Sequence, residues 1–170
     1  FRPFDATNRS RITQLINKSN QFNLTTRRYT EAEVAEAEID PAAFTLQVRL
    51  TDTFGDNGMI SVVICRAEED QTWRIDSWLM SCRVLMRNVE QMVLREVLLH
   101  ARANGIRHIV GEYRPTDRNG MVRDHYSKLG FNHRSDNSDG VVEWVIAVPD
   151  DAGPARMRVI RGGFSPELSA

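Results

Sequence analysis

Ser77-Trp78-Leu79-Met80-Ser81-Cys82-Arg83-Val84-Leu85-Met86-Arg87-Asn88 is where the chain changes character. Trp73 to Val84 reads as a buried strand, because the apolar run Trp78-Leu79-Met80 departs from simple alternation. Downstream, Val89, Met92, Val93, Val97 and Leu98 share one helical face, with Asn88 as candidate cap and Asn104-Gly105 as the stop. Cys82 closes the strand just before that helix. A helix N-terminus carries partial positive charge and Arg83 and Arg87 flank the approach, so a thiolate is favoured there over a thiol. The plainer reading of a lone cysteine is a small buried hydrophobe.

Upstream, Ile12, Leu15 and Ile16 mark an amphipathic helix from Thr7 to Asn20. The aperiodic segment Gln21 to Tyr29 follows, and its amides, hydroxyls and arginines suit either ligand binding or capping of the flanking helices. Thr30 with Glu33 makes a capping box for a short helix through Ile39, which Pro41 ends. Phe44, Leu46, Val48 and Leu50 alternate with polar residues as a half-buried strand, Asp56-Asn57-Gly58 supplies a turn, and Met59 to Cys65 returns. After Gly105 the pattern gives a strand from Ile106 to Tyr113, a helix from Met121 to Leu129, and a hairpin around Asp139-Gly140. The element order is ααβββαβαββ, with one domain over 1–148 and a loosely structured tail over 149–170.

The 170 residues carry 22 basic and 23 acidic side chains, so the near-zero net charge gives no electrostatic footprint for nucleic acid. Two cysteines are too few for a disulfide framework, and neither a signal peptide nor a membrane-length apolar run is present, which points to a reducing, cytoplasmic setting. His100 and His108 lack ligand spacing with carboxylates or cysteines, so no metal site is expected. Cys65 and the three tryptophans read as core. The chain begins at Phe1 and is structured at once, which suggests a piece of a longer polypeptide.

Met121-Val122-Arg123-Asp124-His125-Tyr126-Ser127-Lys128-Leu129-Gly130-Phe131 resembles the GNAT acyltransferase helix that ends in Tyr-x-Lys-x-Gly-Phe, with Asn119 at a position where that family often has asparagine. The resemblance implies an α+β or α/β GNAT fold, a mixed central sheet flanked by helices. It also implies that Tyr126 protonates a departing thiolate. The segments Gln14 to Arg28, Phe54-Gly55-Asp56-Asn57-Gly58-Met59-Ile60-Ser61, Trp78 to Val84 and Arg118 to Tyr126 are similar, in that order, to the GNAT-like C-terminal part of FkbH-like proteins. Those proteins supply glyceryl units from 1,3-bisphosphoglycerate to polyketide assembly lines. The resemblance implies two partners, an acyl carrier protein and a haloacid-dehalogenase-type phosphatase domain whose aspartate motif this chain lacks. Magnesium would belong to that domain alone.

In GNAT enzymes the pantetheine arm threads between two splayed strands, and a glycine-containing loop holds the pyrophosphate. Met86 and Asn88 fill the two glycine positions here, which hinders close backbone approach and disfavours ordinary coenzyme A. The phosphopantetheine arm of a carrier protein has one phosphate and suits Arg83, Arg87 and Asn88 better. Cys82 would then carry the acyl group on the strand lining the cleft, with His125 or Tyr126 as proton shuttle. Asn20, Gln21, Asn23, Thr25, Arg27 and Asn119 are the candidates for the three-carbon glyceryl substrate. Two other functions fit the same sequence: an acyl-CoA-dependent N-acetyltransferase, and a noncatalytic module that docks the carrier protein for the phosphatase domain.

Overall fold

The computed structural model describes residues 1–84 and 87–164. Met86, one of the two filled glycine positions, and residues 165–170 of the expected tail lie outside the described residues. Helices α1 (Arg9–Lys18) and α2 (Glu31–Ile39) precede strands β1 (Ala43–Asp52), β2 (Gly55–Glu68) and β3 (Thr72–Met80). Helix α3 (Val89–Ala103), strand β4 (His108–Tyr113), helix α4 (His125–Lys128) and strands β5 (Asn132–Asp136) and β6 (Val142–Ala147) follow. The described residues form one six-stranded sheet in the order β1-β2-β3-β4-β6-β5, and only the β3–β4 pair is parallel.

The capping box forms as the sequence predicts: Thr30 Oγ1 accepts from Glu33 N and Glu33 Oε2 accepts from Thr30 N. Two other expectations shift. The β1–β2 turn falls at Thr53-Phe54 and not at Asp56-Asn57-Gly58, because Asp52 accepts from Phe54 N and already closes the loop. The helix expected over Met121 to Leu129 is broken into a 3-10 turn at Gly120–Val122 and the short α4.

Two apolar clusters sit on opposite faces of the sheet. Ile12, Ile16 and Val34 of the first two helices pack with Val62, Ile64 and Leu79, whereas Val93 and Val97 of α3 pack with Val63, Cys65 and Ile75. Alternation along a strand produces this division. Two bulges invert it. Register slips at Ile60 and at Asp76, and beyond Asp76 the α3-facing set changes from Trp73 and Ile75 to Trp78 and Met80. The bulge therefore explains why Trp78-Leu79-Met80 breaks simple alternation in the sequence.

Residues 149–164 contain no helix or strand, but they are not loosely held. Arg95 Nε donates to the Gly153 carbonyl at 2.7 Å, and Arg161 binds Glu96 with both arms of its guanidinium at 2.6 and 3.0 Å. Glu96 is only 1% exposed, so its charge requires a buried cation and the segment is drawn onto α3 to supply one.

Candidate active site

β3 and β4 run together only from Thr72 opposite His108 to Ile75 opposite Gly111. At the Asp76 bulge they part, and the chain's own backbone fills the gap. Asn23 forms an antiparallel bridge to Leu79, whose other edge pairs with Val62 of β2. The Leu24 carbonyl accepts from Arg114 N at 2.8 Å, on the β4 side, and Thr25 Oγ1 donates to the Asp76 carbonyl at 2.8 Å. Asn119 clasps the inserted segment: Nδ2 donates to the carbonyls of Asn23 at 3.0 Å and Arg114 at 2.8 Å, while Oδ1 accepts from Thr116 N at 2.7 Å.

Asn23, Thr25 and Asn119 are almost wholly buried. The sequence reading gave all three to substrate. The structure gives them internal partners, because a backbone segment laid between two strands brings amides and carbonyls that need hydrogen bonds away from water.

Where the inserted segment leaves α1, a cavity of about 710 Å³ opens. Leu15, Lys18, Ser19, Asn20, Gln21 and Phe22 line one wall, Met80, Ser81 and Cys82 a second, and Asp117 and Arg118 a third. The fold thus brings Cys82 together with Asn20 and Gln21. The thiol is exposed. Its position differs from the expected one: β3 ends at Met80, and Cys82–Val84 form a 3-10 turn. Ser81 N donates to the Ile60 carbonyl at 2.7 Å, and Val84 N then turns back to Ser81 O, which takes the chain off the strand.

Helix α3 begins at Val89, directly after the Asn88 that the sequence offers as its cap. Asn88, in the left-handed region at φ 59°, makes no side-chain cap bond. Arg83 donates to Ser81 Oγ, and Arg87 is paired with Asp52 at 2.8 Å. Arg83, Arg87 and Asn88 stand outside the cavity lining.

A second cavity, of about 380 Å³, lies where the inserted segment leads toward α2. Arg27 reaches the Asp76 carboxylate in an ion pair, and Tyr29 donates its hydroxyl to the same group. Burial raises the Asp76 carboxyl above its ordinary pKa, with Arg27 acting in the opposite direction. Arg27 is therefore committed to a carboxylate. Sequence reasoning passed over Asp76, although a charge inside an apolar strand at the point where alternation breaks is a legible signal.

His125 and Tyr126 were the expected proton shuttles. His125 sits edge-on to Trp78 and Phe22, with ring centroids at 4.5 and 4.9 Å, and Phe22 stands between it and the Cys82 cavity. Burial in this aromatic box, with Lys128 acting in the same sense, lowers the His125 pKa to about 3. Burial thus favours the neutral imidazole. Tyr126 is wholly buried between Trp78 and Phe131, and burial pushes its pKa up, with the Glu112 backbone beside its hydroxyl acting in the opposite sense. Both are core residues in this arrangement. Among the described residues, no group of three or more His, Cys, Asp or Glu side chains could hold a metal ion, and no helix is long and apolar enough to cross a membrane.

No family model and no curated protein matches the sequence. Solved structures do resemble the fold. The ribosomal-protein-S18-alanine N-acetyltransferase from Escherichia coli is 11% identical, with 92% of this chain and 97% of that one covered at a TM-score of 0.61. The GNAT domain of S. lividans PAT is 15% identical, with 85% and 88% covered at 0.66. The aminoglycoside acetyltransferase AAC(6')-Ib in complex with coenzyme A is 15% identical, with 85% and 92% covered at 0.61. Together with the mixed sheet and the parting of its parallel pair, these likenesses identify the fold as that of the GNAT acetyltransferases.

Proposed function

We propose that this chain is an acyltransferase in which Cys82 accepts an acyl group as a thioester and passes it to the phosphopantetheine thiol of an acyl carrier protein. The observation that carries this reading is the exposed Cys82 thiol in the wall of a 710 Å³ cavity at the end of β3. A cavity of that size suits a small acyl group and its carrier arm. In the first half-reaction the Cys82 thiolate attacks the acyl carbon and the donor's leaving group departs with the electron pair. In the second, the arm's thiolate attacks the same carbon and Cys82 leaves as thiolate, so sulfur replaces sulfur. The cavity is open to water, which takes the proton from each attacking thiol. The buried His125 and Tyr126 are not needed for it.

Glyceryl as cargo, and a haloacid-dehalogenase-type phosphatase domain as supplier of the donor, are supported by the ordered sequence segments that are similar to FkbH-like proteins. A second reading, acyl-CoA-dependent N-acetyltransfer, is favoured by the likeness to an acetyltransferase in complex with coenzyme A. The strand gap that residues 23–25 fill speaks against an arm lying along β3.

The test is to incubate the chain and its Cys82→Ala variant with 1,3-bisphosphoglycerate and the phosphatase partner, then read intact mass. A glyceryl adduct on the parent chain alone is expected. No adduct beside an active partner would overturn the thioester reading in favour of a noncatalytic docking module, and acetyl transfer from acetyl-CoA to an amine would favour the second reading.

A further inference from the structure

The cavity beside Cys82 carries a charge pattern of its own. Lys18, on the last turn of α1, and Arg118, in the connection after β4, both contribute to its lining. Among the described residues neither side chain has an ion pair with a carboxylate. Among the described residues Asp117 is the one carboxylate in the lining, so Lys18, Arg118 and Asp117 together carry a net single positive charge. Of the nearby arginines, Arg83 lies outside the lining and bonds Ser81 Oγ, while two others are compensated by carboxylates. Arg49 is paired with Asp56 at 2.8 Å and Arg87 with Asp52 at 2.8 Å. Hydrogen bonding from Phe54 N, with Asn57 and Arg87 adding to it, holds the Asp52 carboxyl below its ordinary range, so Arg87 stays neutralised near pH 7.

Two cations without an ion pair thus line the same space as an exposed thiol. The rest of the lining includes polar Ser19, Asn20 and Gln21 and apolar Met80 and Phe22. A ligand that fits this lining combines an anionic group, hydrogen-bonding amides and a sulfur that meets the thiol.

We propose that Lys18 and Arg118 bind the phosphate of a phosphopantetheine arm, a role for which the sequence pointed to Arg83, Arg87 and Asn88. The single net positive charge matches a phosphodiester, which carries one negative charge, better than the several charges of coenzyme A. This assignment rests on the reading that Cys82 exchanges acyl groups with such an arm, and it names where that arm's phosphate is held.

The probes are S-methyl 4'-phosphopantetheine as its methyl phosphodiester, which carries the one negative charge of a carrier protein's arm, S-methyl pantetheine and S-methyl coenzyme A; their blocked sulfurs neither form disulfides nor consume reagent. The readout is the rate at which iodoacetamide alkylates Cys82 in the full chain, followed by intact mass at increasing probe concentration. S-methyl 4'-phosphopantetheine is expected to slow alkylation, with half-protection at a concentration about tenfold lower than for S-methyl pantetheine, the loss expected for one charged hydrogen bond. Lys18→Gln and Arg118→Gln should each erase that difference, whereas Arg87→Gln should keep it. Circular dichroism of each variant checks that it is folded.

Equal protection by the phosphorylated and unphosphorylated probes, or an unchanged difference in both variants, would overturn the assignment. Protection by S-methyl coenzyme A at lower concentration than by S-methyl 4'-phosphopantetheine would overturn the preference for one phosphate. Phosphate-dependent protection without any glyceryl adduct on Cys82 would leave the binding site standing and remove only the thioester chemistry.

Discussion

A Cβ placed on Gly111 would lie 2.3 Å from both Cε1 and Cζ of Tyr126. The tyrosine ring therefore rests directly on the β4 backbone, in space that any other residue at position 111 would fill.

Gly111→Ala should destabilise the fold by about 1–3 kcal/mol or more, read as a lower urea midpoint, because ring and strand must move apart. The converse experiment tests the role of the hydroxyl. Tyr126→Phe removes a buried oxygen whose polar neighbour is the Glu112 backbone, at a geometry too poor for a strong bond, so stability should stay within about 1 kcal/mol. Acyl transfer by Tyr126→Phe should remain near the parent rate. A loss of a hundredfold or more, within the range of general acid catalysis at about 10²–10⁴, would return Tyr126 to the chemistry.

Acid should weaken the fold through His125. Its pKa falls from 6.5 to about 3 on burial, so between those values the unfolded chain binds a proton that the folded chain refuses. Stability is then full above pH 6.5 and declines below it by up to about 1.4 kcal/mol per pH unit. His125→Phe should flatten that decline in urea titrations at pH 7, 6 and 5. Asp76, whose carboxyl is shifted upward, titrates alike in both proteins and cancels from the comparison.

Asn119→Ala should cost about 2–4 kcal/mol in chemical denaturation, since it leaves the buried Asn23 carbonyl and Thr116 amide without the partner they now have. Faster hydrogen exchange at Arg114 N, which donates to Leu24, should accompany the loss.

Arg161→Ala should cost about 3–5 kcal/mol, because it strands the charge of Glu96 in a site that is only 1% exposed. Burial alone would raise the Glu96 pKa, but hydrogen bonds from His100 and Arg161 hold it below its ordinary range. The contribution of this pair is present above the unfolded carboxyl's pKa and disappears as pH falls through the folded value. The thermal midpoints of parent and variant should therefore converge in acid.

The element order, the capping box, the apolar face of α3 and the core placement of Cys65 and Trp78 were legible because each rests on local periodicity or a local hydrogen-bond pattern. The GNAT fold was legible from the helix motif ending at Gly130-Phe131. The site was legible only in part. The fold brings Cys82, Asn20 and Gln21 to one cavity, but the Thr25 and Asn119 side chains satisfy backbone groups 51 and 96 residues away, which no local pattern encodes. The burial of His125 behind Phe22 depends likewise on packing between distant elements. Lys18 and Arg118 lie far apart in the sequence and meet only because the fold sets them around one cavity.

The insertion of residues 23–25 between β3 and β4 also has a temporal side. Its partners Asp76, Leu79, Arg114 and Asn119 lie far along the chain, so the loop closures needed to join them are among the most expensive in entropy. The segment meets its β3 partners, Asp76 and Leu79, only once that strand exists, and Arg114 and Asn119 only once the chain has passed β4. Emergence from the ribosome and assembly of the binding surface are thus separated in time: α1 is made early, yet the wall it leads into matures among the last parts of the domain.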